Sequence, residues 1–418
     1  MSVITDIATQ FHHGTAAHLA IHEGRIGLAV SGGGDSIAMM HLAASFIEPK
    51  RLSIFTIDHG LRSEAADEIA QVAAQARKLG LKHFVAHWKW DGSGNLQAAA
   101  RAGRWAALRA LADEHEVGSL WMGHTQDDQI ETFMMRLARG SGVDGLTAMQ
   151  VSTQRDGLTI FRPLLKMNRA DLRAWLTQQD IPWCDDPSNE DTRFDRVRAR
   201  QMFAHLNDLG LTAKRILQTI DHMQVARVTL LQSARDFATQ NIRQVSGDLL
   251  IRSEALALQK ADAPRRVMAA AIRWVGGHTF KPRFEQLLDA VRRVQTGETT
   301  TLGGCILVPD KDGAIRLTRE AAATLPIALS VPQDHVVWDQ RWHLSGPMRD
   351  GMTVKSLGEG IQDCPDWRQS VLPRVSLLAT PAVWYGKDLV AAPLAGLSKG
   401  WTAQIVADFH SMAFAIED

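Results

Sequence analysis

Ser31-Gly32-Gly33-Gly34-Asp35-Ser36 sets three consecutive glycines between two hydroxyls and a carboxylate. Backbone without side chains can approach a ligand closely. Free amides at a helix start, together with the positive end of the helix dipole, favour an anion, and phosphate is the commonest biological one. This is not a Walker A loop, which carries Lys-Ser or Lys-Thr after its last glycine. Asp35 stands there instead. A carboxylate beside phosphates repels them unless a cation lies between, so Asp35 implies a magnesium ion. The plain alternative is a glycine turn whose Ser31 or Asp35 caps a helix.

Such a loop needs a strand before it and a helix after it. An apolar run at 26–30 precedes it, and Ile37-Ala38-Met39-Met40 opens a second run behind it. That is the layout of a buried strand, a glycine turn and a helix start. The pattern then repeats, with predicted strands at 52–57, 84–88 and 119–122. Predicted helices lie at 64–79 (closed by Gly80), 95–116 and 128–139 (ending at Gly140). Repeated strand–helix units predict a parallel, Rossmann-like α/β sheet covered on both faces. Ligands of such sheets sit beyond the carboxyl ends of the strands. The 31–36 loop, Asp58 and the 123–128 segment all fall at those ends.

Farther on, a predicted helix at 168–179 leads to a polar loop at 185–191. An arginine run follows: Arg193, Arg196, Arg198 and Arg200, offset only by Asp195. Residues 211–294 read as helical, with helices at 214–237, 255–275 and 282–294. A hairpin over 300–317 turns at Asp310-Lys311-Asp312-Gly313, and short strands rich in Trp, Gly and Pro close the chain. The expected division is an α/β catalytic domain at 1–205, a mainly helical domain ending in a hairpin at 206–322, and a small β-rich domain at 323–418.

The glycine loop resembles the pyrophosphatase loop of the N-type ATP enzymes, the PP-loop superfamily, which cleave ATP between its α and β phosphates. Within that superfamily the first half is similar to the tRNA(Ile)-lysidine synthase family. The matching blocks are Asp58-His59-Gly60-Leu61-Arg62, Ala100-Arg101 with Arg104-Trp105, and Gly123-His124-Thr125-Gln126-Asp127-Asp128-Gln129-Ile130-Glu131-Thr132. Then come Arg136-Leu137-Ala138-Arg139-Gly140, Arg162-Pro163-Leu164-Leu165 and Asp185-Asp186-Pro187-Ser188-Asn189. Blocks in this order over half the chain are a specific signal, whereas one glycine string is not.

The resemblance implies an ATP-dependent ligase acting on an isoleucine tRNA with a CAU anticodon. Such an enzyme adenylates the C2 oxygen of the wobble cytidine and replaces it with the ε-amino group of free L-lysine, releasing AMP and pyrophosphate. On this reading residues Ser31, Gly32, Gly33, Gly34, Asp35 and Ser36 bind ATP, with Asp35 on the magnesium. Asp58 accepts from the adenosine ribose or base, or else caps a helix. Asp127 and Asp128, adjacent and so unable to share a helix face, each need a partner. One of them would orient the lysine amine and draw off its proton. His124 would touch the α-phosphate or be structural. Arg101 and Arg104, three apart on one helix face, would take phosphate or carboxylate, or form a solvated face. Arg101 joins the catalytic set, and Arg104 with Glu131 the lysine- or phosphate-contacting one. Arg193, Arg196, Arg198 and Arg200 would bind tRNA phosphates. The family's Arg-Asn-x-x-Arg appears here as Arg196-Val197-Arg198-Ala199-Arg200, which keeps the charge and has no polar side chain at Val197.

Bulk properties fit that class. The chain has 418 residues, 45% hydrophobic and 22% charged, enough for two or three domains. Formal net charge is zero, so any RNA contact must come from local basic patches. No apolar run approaches bilayer length, and Cys184, Cys305 and Cys364 lie far apart, which suits a reducing cytoplasm. The lack of paired cysteines also argues against the rival reading, a PP-loop thiolase acting on tRNA. A non-catalytic nucleotide- or RNA-binding protein would not need acids beside phosphate. The resemblance leaves a homodimer open.

Overall fold

The computed structural model describes residues 3–58, 60, 65–90, 92, 96–185, 195–277, 282–330, 334–406 and 408–412. The chain divides into two compact units at Arg227/Val228.

The first unit is built on a six-stranded sheet. Its elements in chain order are α1 (Val3–Ile21), β1 (Arg25–Ala29), α2 (Gly34–Ala44), β2 (Leu52–Asp58), α3 (Ala65–Lys78), β3 (Lys82–His87) and α4 (Leu96–Glu114). Then follow β4 (Val117–Met122), α5 (Gln126–Ala138), α6 (Val143–Leu146), β5 (Ser152–Arg155), β6 (Leu158–Phe161), α7 (Arg169–Gln178), α8 (Asp195–Asp208) and the first half of α9 (Ala213–Asn241), whose residues from 228 on belong to the second unit. Strand order is β3-β2-β1-β4-β6-β5. The strands run parallel except β5, which pairs antiparallel with β6.

The apolar runs flanking the glycine loop account for this core. Ile26 and Leu28 of β1 and Ile37, Met39 and Met40 of α2 are all fully buried. Each such side chain contributes about 2 kcal/mol relative to exposure. Helices α1, α6 and α8 and the β5–β6 hairpin were not anticipated. Helix α1 buries Ile7 and Phe11, but its stripe also contains His18, whose Nε2 lies 2.8 Å from Ser119 Oγ and whose ring stacks on Phe161 at 3.9 Å. A polar residue inside the stripe hides its periodicity. The β5–β6 hairpin turns at Asp156-Gly157, both at positive φ, the pairing a tight primed turn demands.

The second unit corrects the all-helical reading of 211–294. After α9, β7 (Ile242–Val245) and β8 (Asp248–Arg252) form a hairpin around Ser246-Gly247, a dipeptide that signals a turn. The expected helix at 255–275 begins only at Asp262, as α10 (Asp262–Gly276), followed by α11 (Phe284–Gln295). With β9 (Thr300–Leu302), β10 (Cys305–Pro309) and β11 (Ala314–Arg319) they complete a sheet of order β7-β8-β11-β10-β9, on which α10 and α11 pack. The β10–β11 pair is the hairpin expected at 300–317. Two further sheets, of four and three strands, make up the β-rich end. Cys184, Cys305 and Cys364 are free thiols. Among the described residues no helix is long and apolar enough to cross a membrane.

Candidate active site at the carboxyl ends of the sheet

The glycine string forms a tight turn from β1 into α2. Gly32 adopts φ +95, which disfavours any side chain. Gly33 is the helix N-cap, and the first helical bond runs from Ile37 N–H to Gly33 O at 3.0 Å. The N–H groups of Gly34, Asp35 and Ser36 therefore precede the helical ladder. Ser36 Oγ donates to Gly33 O at 2.9 Å and accepts from Ser31 N–H at 3.2 Å, which closes the loop on itself. A strap from residue 183 holds its outer side. Cys184 N–H donates to Gly32 O at 3.0 Å, and the Trp183 ring lies against Gly34.

Asp35 leaves the loop toward Arg169, the first residue of α7. Its Oδ2 accepts from Arg169 Nε at 2.8 Å, while Oδ1 is buried and has no hydrogen-bond partner among the described residues. Burial pushes the Asp35 carboxyl up, against the pull of Arg169. The same arginine reaches α5. Its Nη2 lies 3.4 Å from Asp128 Oδ1, its Nη1 lies 3.8 Å from Glu131 Oε1, and its backbone N–H donates to Asp127 Oδ2 at 2.8 Å. Four acids thus gather around one guanidinium and its amide. Burial works against the Arg169 charge, but Asp35, Asp128 and Glu131 outweigh it and hold the guanidinium protonated.

Asp127 and Asp128 separate as adjacent helical residues must. Asp128 is buried and caps its own helix, accepting from Thr125 N–H at 2.8 Å and from Thr125 Oγ1 at 3.0 Å. The same carboxylate that caps α5 through Oδ2 also faces Arg169 and Arg196 through Oδ1. Burial raises the Asp128 carboxyl, and His124, the Thr125 amide, Arg169 and Arg196 together bring it below the ordinary carboxylate range. Burial, with Arg162, Arg196 and Arg104 adding their repulsion, brings the His124 imidazole down to about 4. His124 is therefore neutral at pH 7, and the amide and two arginines remain as the lasting partners of Asp128. His124 Nδ1 is buried with no partner among the described residues.

The arginine run sorts by helical geometry. Arg196 and Arg200 lie four apart on α8 and face α5. Arg196 Nη1 is 3.9 Å from Asp128 Oδ1, and Arg200 binds Glu131 Oε1 through Nη2 at 2.6 Å and Nε at 3.0 Å. Arg198 turns the other way and pairs with Asp195. Arg193 lies outside the described residues, and Val197 is buried. Arg101 and Arg104 are exposed on α4, Arg104 within electrostatic reach of Arg196. Asp58 spends Oδ1 on Gly60 N–H at 2.8 Å and Oδ2 on His87 Nδ1 at 3.0 Å.

Arg169 was the residue sequence reasoning missed. It sits behind the N-cap Asn168, whose side chain accepts from Asp171 N–H at 2.7 Å, in an unremarkable helix start. One signal was present: a cation as the first residue of a helix opposes the dipole, so its partners had to lie elsewhere.

The PP-loop domain family matches residues 4–206, the stretch that holds every side chain of this cluster. The tRNA(Ile)-lysidine synthase of Ruegeria pomeroyi is 42% identical over 390 residues, 91% of this chain and 91% of that protein. That of Wolbachia pipientis is 30% identical over 396 residues, 88% of this chain and 91% of the relative. That of Orientia tsutsugamushi is 30% identical over 351 residues, 81% of this chain and 79% of the relative. With the glycine loop, the acid cluster and this extent of shared sequence together, the chain belongs to the tRNA(Ile)-lysidine synthase family.

Proposed function

We propose that the chain is an ATP-dependent carbon–nitrogen ligase that makes lysidine on an isoleucine tRNA bearing a CAU anticodon, acting in the cytoplasm. The observation that carries the reading is the bridge from the glycine loop through Asp35 and Arg169 to Asp128 and Glu131. A phosphate-binding turn and a buried acid cluster meet at one place.

The chemistry has two steps. The C2 oxygen of the cytidine bonds to the α-phosphorus of ATP, and the bond between the α-phosphorus and its bridging oxygen breaks, releasing pyrophosphate. The lysine ε-nitrogen then bonds to C2, the C2–O bond breaks, AMP leaves with that oxygen, and the nitrogen gives up a proton. Amides at 34–36 and the Ser31 and Ser36 hydroxyls suit the β and γ phosphates. The unpaired, buried Asp35 Oδ1 fits a magnesium ion, which takes few protein carboxylates and completes its shell with phosphates and water. Bound there, the metal would neutralise pyrophosphate charge.

Neutral His124, with Arg104 and Arg196 nearby, suits the α-phosphate, and Arg101 on the same helix extends that basic face. Asp127 has one oxygen on the Arg169 amide and is the carboxylate we assign to orient the ε-amine and take its proton. Asp58 is assigned to adenosine, which would compete with its bonds to Gly60 and His87. Arg196, Arg198 and Arg200, with Arg193, are assigned to tRNA phosphates near the reacting cytidine, and residues 206–322 to the body of the tRNA.

The test is incorporation of labelled lysine into an isoleucine tRNA transcript with a CAU anticodon, using magnesium ATP, with the methionine tRNA alongside. Lysine on the first tRNA alone, with AMP and pyrophosphate released, is the expected result. A folded, ATP-binding sample that incorporates none refutes the reading.

A further inference from the structure

Arg169 makes contacts that a purely structural ion pair does not require. Its backbone is fixed twice, by the Asn168 cap before it and by its own amide on Asp127 Oδ2 at 2.8 Å. Its side chain, in contrast, divides between two groups of acids. Nε lies on Asp35 of the loop at 2.8 Å, whereas Nη2 and Nη1 reach the α5 carboxylates Asp128 and Glu131 at the longer distances of 3.4 and 3.8 Å. The guanidinium is largely buried, 21% exposed, so leaving all of these acids at once would cost its full desolvation. Leaving Asp35 alone would not, because the α5 acids lie close enough to take up the charge.

Asp35 Oδ2, meanwhile, is held by Arg169, and Oδ1 is the oxygen left open to a cation. A divalent ion that took both oxygens of this carboxylate would displace the guanidinium, and one held on Oδ1 alone would lie close enough to repel it toward the α5 acids.

We propose that Arg169 is an exchangeable counter-cation for the nucleotide's metal: it neutralises Asp35 before the nucleotide arrives, then yields Asp35 to the metal and settles onto Asp128 and Glu131. This rests on the assignment of the 31–36 loop to magnesium ATP and adds a positioning role for a residue on α7. Metal arrival at the loop is thereby transmitted to the carboxylates of α5, where the amine is to be handled. A ligand that competes with an internal occupant has its affinity scaled down by the fraction of sites that occupant leaves free. Removing the guanidinium therefore tightens metal binding while it impairs turnover, an opposition that simple loss of structure does not produce.

The experiment titrates Mn2+ alone into the full chain, read by electron paramagnetic resonance, for wild type, Arg169→Met and Arg169→Lys. Lysine keeps a charge but not the fork. Arg169→Met is expected to bind Mn2+ about tenfold tighter than wild type, with Arg169→Lys between the two and lysine incorporation reduced at least about tenfold in Arg169→Met. Unchanged or weakened Mn2+ affinity in folded Arg169→Met overturns the exchange. Should that variant not fold, Arg169→Lys decides by the same criterion. Failure of wild-type lysine incorporation counts against the proposed function, whereas an unmoved Mn2+ affinity in a working enzyme counts against the exchange alone.

Discussion

Gly123 and Ser36 meet backbone to backbone: a Cβ on Gly123 would lie 3.1 Å from Ser36 Cα, 3.2 Å from Ser36 N and 3.3 Å from the Asp35 carbonyl carbon. The end of β4 is thus pressed against the first turn of α2. None of those atoms is the tip of a flexible side chain, so an added methyl must move the loop itself.

Gly123→Ala is accordingly expected to weaken binding of an ATP analogue about tenfold, with an overpacking cost of about 1–3 kcal/mol in stability. Isothermal calorimetry with an ATP analogue checks the first and urea unfolding the second. Normal affinity would mean that the loop tolerates the displacement.

The Glu131–Arg200 pair joins α5 to α8 across 69 residues of sequence, through two bonds to one carboxylate oxygen. Glu131 is only 4% exposed, and burial pushes its carboxyl up. Removing Arg200 leaves that acid buried without its principal cation. In a double-mutant cycle of Glu131→Gln and Arg200→Gln, followed by unfolding and by kcat/KM, a coupling of about 1–3 kcal/mol is expected. Strict additivity would assign Arg200 to the tRNA alone.

The loop and the strand ends were legible because local chemistry dictates them. Three glycines between apolar runs admit few conformations, and 120–122 run directly into Gly123. The arginines of α8 were legible as charge but not as direction. Which of them faces α5 depends on packing between helices, and the acids that receive Arg196 and Arg200 lie in another part of the chain. Arg169 was hidden for the same reason: its partners come from α2 and α5, and no spacing within α7 announces them. In the second unit the helical periodicity on either side of 242–252 concealed a hairpin whose only local mark was Ser246-Gly247.

Four histidines of the first unit are held below their ordinary range by burial: His18 and His124 at about 4, and His41 and His83 in the same direction. A folded-state pKa below the unfolded value of 6.5 means that the unfolded chain binds more protons between the two. The stability these neutral rings contribute is complete above about pH 6.5 and is lost as pH falls toward 4. Melting temperature should therefore drop steeply across that window. His18→Gln should flatten part of the slope, since His18 is buried between Phe161 and Ser119. An unchanged slope would place the acid sensitivity in the other three.

Asp248 and Arg316 form a buried pair in the second unit, with Arg316 Nη1 on Asp248 Oδ2 at 2.8 Å and both side chains under one-tenth exposed. Ser376 also donates to that oxygen, and Arg316 Nε continues to Asp310 at 2.6 Å. Desolvation of such a pair roughly offsets its attraction, but removing one partner strands the other charge in a low-dielectric interior. Asp248→Ala is therefore expected to cost about 3–5 kcal/mol, and Asp248→Leu combined with Arg316→Met to recover most of that loss. Urea unfolding should show the loss as an early transition from residues 228–415, with ATP-analogue binding by the loop of the first unit retained below it. If the double variant is no better than Asp248→Ala, the cost lies in the hydrogen bond from Ser376 rather than in the stranded arginine.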